Sequence, residues 1–260
     1  MSLTYSSYLK LDELLSLQQP RSEPAEHDET LFIIIHQVYE LWFKQLLHEF
    51  DRICRELSSG ELWGALASFK RCRMVMKTMV AQLDILETMT PMSFLSFRDR
   101  LAAASGFQSP QFRALEFLLG FKRPEMLKHH ESNPAAIKML TRRLNEPSVV
   151  DRFYEFLAQR GVEIPVELIN KDITAPTMAS EQIQDSLLTF YRGDPETIAL
   201  LELMTDFDEG LQEWRYRHVK MVERTIGTKP GTGGSPGVEF LKQSLFKPVF
   251  PDLWAIRDRL

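Results

Sequence analysis

The chain has 260 residues, 44% of them hydrophobic and 26% charged, which is enough apolar material for a substantial buried core. Its formal net charge is −5, with Lys and Arg interspersed among acids. That pattern excludes a general affinity for nucleic acid or anionic lipid, because a polyanion rewards clustered cations. The two cysteines, Cys54 and Cys72, lack CxxC spacing and exclude a disulfide framework or a thiolate zinc site.

The opening segment MSLTYSSYLKLDELL has no basic region followed by an apolar run, so no secretory signal is expected. From about Asp28 to Leu57, apolar residues recur at Leu31, Ile34, Ile35, Val38, Leu41, Trp42, Leu46, Phe50, Ile53 and Leu57, which predicts a long helix stopped by Gly60. His36, Gln37, Glu40, Lys44 and Gln45 interrupt its most apolar part, so it is not a membrane span, and the cytoplasm is the expected compartment. A second long helix is predicted over Glu61 to Thr88, with Trp63, Leu66, Phe69, Met76, Met79, Val80, Leu83 and Leu86 inward.

Four cap-plus-proline pairs then announce helix starts: Thr90-Pro91, Ser109-Pro110, Asn133-Pro134 and Asp194-Pro195. Gly106, Gly120, Gly161 and Gly193 are expected helix ends. The stretch from Ile164 to Thr177 has no clear pattern. The last long helix is predicted from Pro195 to about Thr225, stopped by Gly227. A glycine-rich loop over Lys229 to Gly237 and a short helix near Val238 to Leu245 follow. No segment shows sustained strand alternation and no repeat or long linker appears, so one all-α domain over residues 1–260 is expected, with long antiparallel helices.

Several residues on this frame can carry chemistry. His218 falls in the series Leu200, Met204, Phe207, Leu211, Trp214, His218, Met221, Val222, which puts an imidazole on an apolar stripe. It is either a core histidine satisfied by one hydrogen bond or an axial metal ligand. His36 shares a face with Phe32 and Phe43 and poses the same choice. Arg98 lies four residues after Phe94, so the two side chains point the same way. It reads either as a partner for Asp99 or Glu87 or as a clamp for a substrate carboxylate. The loop around Thr232 lacks the Lys-Ser/Thr pair of a P-loop and follows no strand, so it is a poor nucleotide motif. Five glycines from Gly227 to Gly237 suit a lid. His129-His130 reads as surface. HExxH, GxSxG and the Glu-x-x-His pair of helical di-iron sites are absent.

Together these positions resemble the tryptophan 2,3-dioxygenase family. The matching blocks are LTYSSYLKLDELL at 3–15, LFIIIHQVYELWFKQLLHE at 31–49, LETMTPMSFLSFRDRLAAASGFQSPQFR at 86–113, WRYRHVKMVERTIGTKPGTGGSPGV at 214–238 and FPDLWAIRDRL at 250–260. The resemblance implies an all-helical homotetramer that encloses a b-type haem, ferrous when active, and uses O2 to open the indole ring of L-tryptophan to N-formylkynurenine. By that resemblance, His218 is the axial ligand to the haem iron and His36 is the catalytic residue that contacts the indole N–H. Arg98 binds the substrate carboxylate, Thr232 contacts the polar end of the amino acid, and Phe32 and Phe94 flank the indole. Ser105 and Gly106 belong to the same substrate site. Tyr5 and Tyr8, in the N-terminal segment 1–20, enter the pocket of a neighbouring subunit. Some family members have tyrosine in place of Phe94 and tryptophan in place of Leu83. Two other readings share the scaffold: an oxygenase acting on another aromatic amino acid, and a haem sensor, which would need neither the carboxylate clamp nor the lid.

Overall fold

The helical periodicity of the sequence becomes helix along nearly the whole chain. The computed structural model describes residues 2–102, 104–232 and 237–260, and no strand occurs among them. The helices are α1 (Tyr5–Leu9), α2 (Leu11–Leu15), α3 (His27–Ser59), α4 (Leu62–Leu86), α5 (Pro91–Arg98), α6 (Pro110–Leu118), α7 (Pro134–Asn145), α8 (Val149–Gln159), α9 (Val166–Ile169), α10 (Glu181–Gly193), α11 (Pro195–Ile226), α12 (Val238–Lys242) and α13 (Pro251–Ala255). All four cap-plus-proline pairs open helices as expected. The side chains of Thr90, Ser109, Asn133 and Asp194 accept hydrogen bonds from the amides of Ser93, Phe112, Ala136 and Thr197, satisfying donors that a helix start leaves unpaired.

The core is the packing of α3, α4 and α11. Only Gly60 and Glu61 separate α3 from α4, so the two must fold back on each other as an antiparallel hairpin. Tyr39 Oη donates to Met79 O at 2.8 Å near one end, and the ring of Phe50 meets that of Phe69 at 5.8 Å further along. Phe50 also meets Phe207 of α11 at 4.9 Å, and Phe43 meets Trp214 at 6.1 Å, so α3 and α11 are antiparallel too. The pair α4 and α11 runs parallel: Arg73 pairs with Asp206 and Arg217 with Asp84. Residues 87–194 carry the chain back to the end from which α4 began, so the antiparallel expectation holds for two of these three pairs.

The inward stripe of α4 is Leu62, Ala65, Phe69, Cys72, Met76, Met79, Leu83 and Leu86. Trp63, expected inward, is exposed because the helix begins at Leu62 and that residue takes the core position. Ile34 and Leu41 are likewise exposed on the outer face of α3. Of the expected helix ends, Gly120 and Gly161 are left-handed. Gly106 instead opens a 3-10 turn behind Ser105, and Gly193 is followed by the cap Asp194. At Gly120 (φ +92°) a Cβ would lie 2.4 Å from Thr177 Oγ1, and Thr177 N donates to Gly120 O at 3.1 Å. That close approach draws the patternless stretch after Ile164, which contains the short α9, against the end of α6.

Beyond the three long helices, buried polar contacts fix the remaining elements. Arg143 holds α7 to α3 with two bonds to Asp51, at 2.6 and 2.7 Å. Asp208 on α11 accepts from Phe250 N and Trp254 Nε1, each at 3.0 Å, which ties the C-terminal block to the core. His130 is buried, against the expectation of a surface pair. Pro124–His130 is a 3-10 turn packed on α7, so its charged sequence does not mark a solvated helix. No described helix is long and apolar enough to cross a membrane.

Lys122 shows how much a single polar group can hold. Its side chain is almost fully buried, and Nζ donates to the carbonyls of Leu144, Glu146 and Ile173 at 2.9, 2.5 and 2.7 Å. The end of α7 and the stretch after α9 therefore converge on one ammonium. Lys122→Met keeps the length but leaves three carbonyls unpaired, and is expected to lower unfolding free energy by about 3 kcal/mol or more. Urea unfolding checks this; a loss under about 1 kcal/mol would show that the carbonyls find other donors.

Candidate active site

The beginning of α3 and the end of α11 lie together because those helices are antiparallel, and between them is a cavity of about 290 Å3. Phe32, His36, Phe94, Arg98, Ser105, Gly106, His218 and Thr232 all line it. Residues from three separated sequence blocks thus meet in one space, closed further by Leu83 and Leu86 of α4 and Phe240 of α12.

His218 reaches the cavity from α11, and its ring lies nearly parallel to that of Trp214, with centroids 5.4 Å apart and an interplanar angle of 10°. Trp214 is itself held among Tyr39, Phe43 and Phe112. Burial, reinforced by the nearby His36, pushes the His218 pKa down to about 4. The ring is therefore neutral at pH 7, with a lone pair available. His36 enters from α3, and burial lowers its pKa as well, against smaller opposing effects of Phe32 O and Glu40. His36 Nδ1 lies 2.7 Å from Phe32 O. A carbonyl can only accept, so Nδ1 carries the proton and Nε2 is left as a bare acceptor.

Beside His36, the rings of Phe32, Phe94 and Phe97 stand 5.5 to 5.7 Å apart and form an aromatic wall. The Thr90 cap fixes the start of α5, and the helical spacing then places Phe94 and Arg98 on the same side. Arg98 Nη2 donates to Pro230 O at 2.7 Å and makes no ion pair among the described residues. Neither Asp99 nor Glu87 engages it, and Glu87 pairs instead with Arg217 and Arg224. Thr232 Oγ1 donates to Ala104 O at 2.6 Å, next to Ser105. The chain after α11 is thereby pinned across the cavity at two points. A third constraint is Gly237 (φ +67°), where a Cβ would come within 2.7 Å of Lys229 O. Residues 233–236, the centre of the expected lid, lie outside the described residues.

Tyr5 and Tyr8 do not join the site. Both are exposed, on α1, which buries no residue. Conversely, the cavity contains groups that the sequence reading passed over: Tyr39, Glu40, Arg113, Glu116, Arg123 and Arg215. Arg215 precedes His218 by three residues, so helical spacing alone placed it near the same wall, but an arginine between Trp214 and Tyr216 reads as a solvated side chain. No group of three or more His, Cys, Asp or Glu side chains converges among the described residues. A metal on His218 would therefore need most of its ligands from a molecule other than the chain.

The chain is similar to known proteins along its full length. The family model described as tryptophan 2,3-dioxygenase matches residues 1–138 and 139–260. The tryptophan 2,3-dioxygenase of Herpetosiphon aurantiacus is 55% identical over 259 residues, covering 100% of this chain and 99% of the relative. That of Anaeromyxobacter dehalogenans is 52% identical over 264 residues, covering 100% and 97%. That of Caulobacter vibrioides is 43% identical over 262 residues, covering 99% and 98%.

Burial of His218 has a pH signature. Its folded pKa of about 4 lies below the ordinary histidine value of 6.5, so between these values the unfolded chain binds a proton that the folded chain does not. Stability of the ligand-free chain is therefore expected to fall as pH drops from 6.5 towards 4, by about 1.4 kcal/mol per pH unit for one histidine. His218→Leu should remove that part of the slope, as measured by urea unfolding at several pH values. An unchanged slope would mean that the folded protein accommodates a charged ring.

Proposed function

The chain belongs to the tryptophan 2,3-dioxygenase family, and from this we propose that its cavity holds haem b on His218 and L-tryptophan against His36. The reaction inserts both atoms of O2 across the indole C2–C3 bond and yields N-formyl-L-kynurenine, the first step of tryptophan degradation. One observation carries the reading: two neutral imidazoles, from α3 and α11, enter a single cavity beside an arginine that has no acid partner among the described residues.

The residues present fit a haem. His218 makes no hydrogen bond with a described side chain or carbonyl, and Trp214 Nε1 beside it is buried without a partner, so this wall is shaped for something besides the chain itself. A neutral imidazole in apolar surroundings is a suitable axial ligand. When bound, ferrous haem supplies the centre at which O2 is held and activated.

The chain's own groups then orient the substrate. His36 Nε2 accepts the hydrogen bond of the indole N–H, because its Nδ1 proton is committed to Phe32 O. Phe32 and Phe94 flank the flat ring and exclude water, with Phe97 packed behind them. Arg98 exchanges a neutral carbonyl for the substrate carboxylate, a stronger acceptor that matches its fork. Thr232, with Ser105 and Gly106 nearby, meets the ammonium end. Tyr5 and Tyr8 complete a neighbour's pocket in a homotetramer, which gives the exposed apolar residues of α1 and α2 a surface to cover. We also read the chain as one domain, since a single hydrophobic cluster runs from Ile35 to Ile256. Its two free thiols, Cys54 and the buried Cys72, suit the cytoplasm.

Aerobic turnover of L-tryptophan by the reduced, haem-loaded protein, followed by the absorbance of N-formylkynurenine, tests the activity directly. His218→Ala should lose most of its haem, whereas His36→Ala should retain haem with impaired turnover. Equal haem content in wild type and His218→Ala would overturn the axial assignment, and haem loss in His36→Ala alone would reverse the two roles.

Substrate choice tests Arg98. Removing one partner of a desolvated guanidinium–carboxylate pair costs about 2–5 kcal/mol, so Arg98→Ala should weaken use of L-tryptophan by roughly thirtyfold or more. Tryptamine, which lacks the carboxylate, should be a poor substrate that is indifferent to the substitution, while indole-3-propionate should still feel it. An equal fall for tryptamine would mean that Arg98 shapes the pocket without clamping a carboxylate.

A further inference from the structure

Besides Arg98, the cavity wall carries three guanidiniums: Arg113 on α6, Arg123 a few residues after that helix, and Arg215 on α11. Arg113 and Arg215 are only 3% and 4% exposed, so both charges are withdrawn from water. Such burial is costly unless anions compensate it. The carboxylate among them is Glu116, which pairs with Arg113 and, at 3.0 Å, with Arg123. Arg215 has no carboxylate within ion-pair distance among the described residues. Its Nη1 donates to Lys247 O at 3.0 Å, and its guanidinium lies 4.4 Å above the Phe121 ring. Asp208, the other buried carboxylate that acts on Arg215, is turned to Phe250 N and Trp254 Nε1. The Nε–H groups of Arg113 and Arg215 are both buried without an acceptor among the described residues.

Three cations thus face one carboxylate, and two buried donors await acceptors. We propose that Arg113, Arg123 and Arg215 form the anchor for the two propionate carboxylates at the edge of the haem. The assignment rests on the reading that this cavity holds haem. Charge decides between the two carboxylate sources available to the site. L-tryptophan brings one carboxylate together with an ammonium, which a cluster with two excess positive charges would repel. The haem edge brings two carboxylates and no cation, on a body that is otherwise apolar and suits the remaining wall. The spacing agrees, because Arg215 and His218 lie three residues apart and so on neighbouring positions of one helix. α11 would then carry both the iron ligand and one end of the anchor. Arg123, partly exposed, marks the side of the cavity where a charged edge can remain near water.

The discriminating probe is haem dimethyl ester, which keeps the iron and ring but has no carboxylate charge. The full-length chain freed of haem is titrated with haem and with the ester, each followed by the Soret band, in wild type, Arg215→Met and Arg113→Met. Wild type is expected to favour haem over the ester by roughly tenfold or more, with the ratio falling towards one in both variants. Comparable affinity of wild type for the two porphyrins overturns the anchor, and that arm needs no variant to fold. Equal ratios in wild type and variants also overturn it, since the arginines would then act through the fold. A raised KM for L-tryptophan with an unchanged porphyrin ratio would assign the cluster to the substrate carboxylate and overturn it as well. Failure of wild type to bind haem at all would instead remove the haem reading on which the anchor rests.

Discussion

Withdrawal of the cavity wall from water governs what every group in the site can do. An imidazole in water spends much of its time protonated near pH 6.5 and then has no lone pair on either nitrogen. Buried between α3 and α11, His218 is held neutral down to about pH 4, and His36 shifts in the same direction. Arg98 is only half-buried and donates to Pro230 O, a neutral acceptor that an incoming carboxylate can replace. Burying two imidazoles costs them their hydration, and the aromatic contacts of Phe32, Phe94, Trp214 and their neighbours offset that cost.

The direction of the three long helices is what creates this cavity. The short link at Gly60 forces α3 and α4 into a hairpin, and the long excursion through residues 87–194 returns the chain so that α11 runs parallel to α4 and antiparallel to α3. The beginning of α3 and the end of α11 therefore share one end of the bundle. The excursion itself supplies the remaining walls: Phe94 and Arg98 from α5, the Ser105–Gly106 turn, and Arg113 from α6. Groups distant in sequence become neighbours because α3 and α11 point in opposite directions, which explains why no local motif could announce the site.

Much of this was legible in the residues. Cap-plus-proline pairs located four helix starts, since their signal is a local hydrogen bond that needs no tertiary context. The placement of His36 and His218 on apolar stripes was equally readable, because burial follows a 3.6-residue period. Errors arose where one residue of phase or a neighbour in space decided the outcome. Trp63 lost the core position to Leu62 by one residue, and His130 looked wet until the 3-10 turn before α7 covered it. Arg113 and Arg215 were invisible for a related reason: arginine is read as surface, and only the folded chain shows that their Nε groups lack partners.

On the reading proposed above, these contrasts bear on how one cavity would hold two different anionic ligands without confusing them. Arg98 stands four residues from Phe94 on α5, so its charge is coupled to an aromatic slot and selects a carboxylate borne on a flat side chain. Arg113, Arg123 and Arg215 are gathered around Glu116, with Phe107 and Phe121 beneath two of them. Glu116 spaces and partly neutralises the three, leaving the cluster suited to more negative charge than one amino acid carries. On that reading, a single arginine beside a slot and a trio that shares one carboxylate divide the work by charge number. That division requires no difference in the chemistry of the guanidinium itself, only in what the fold has packed around it.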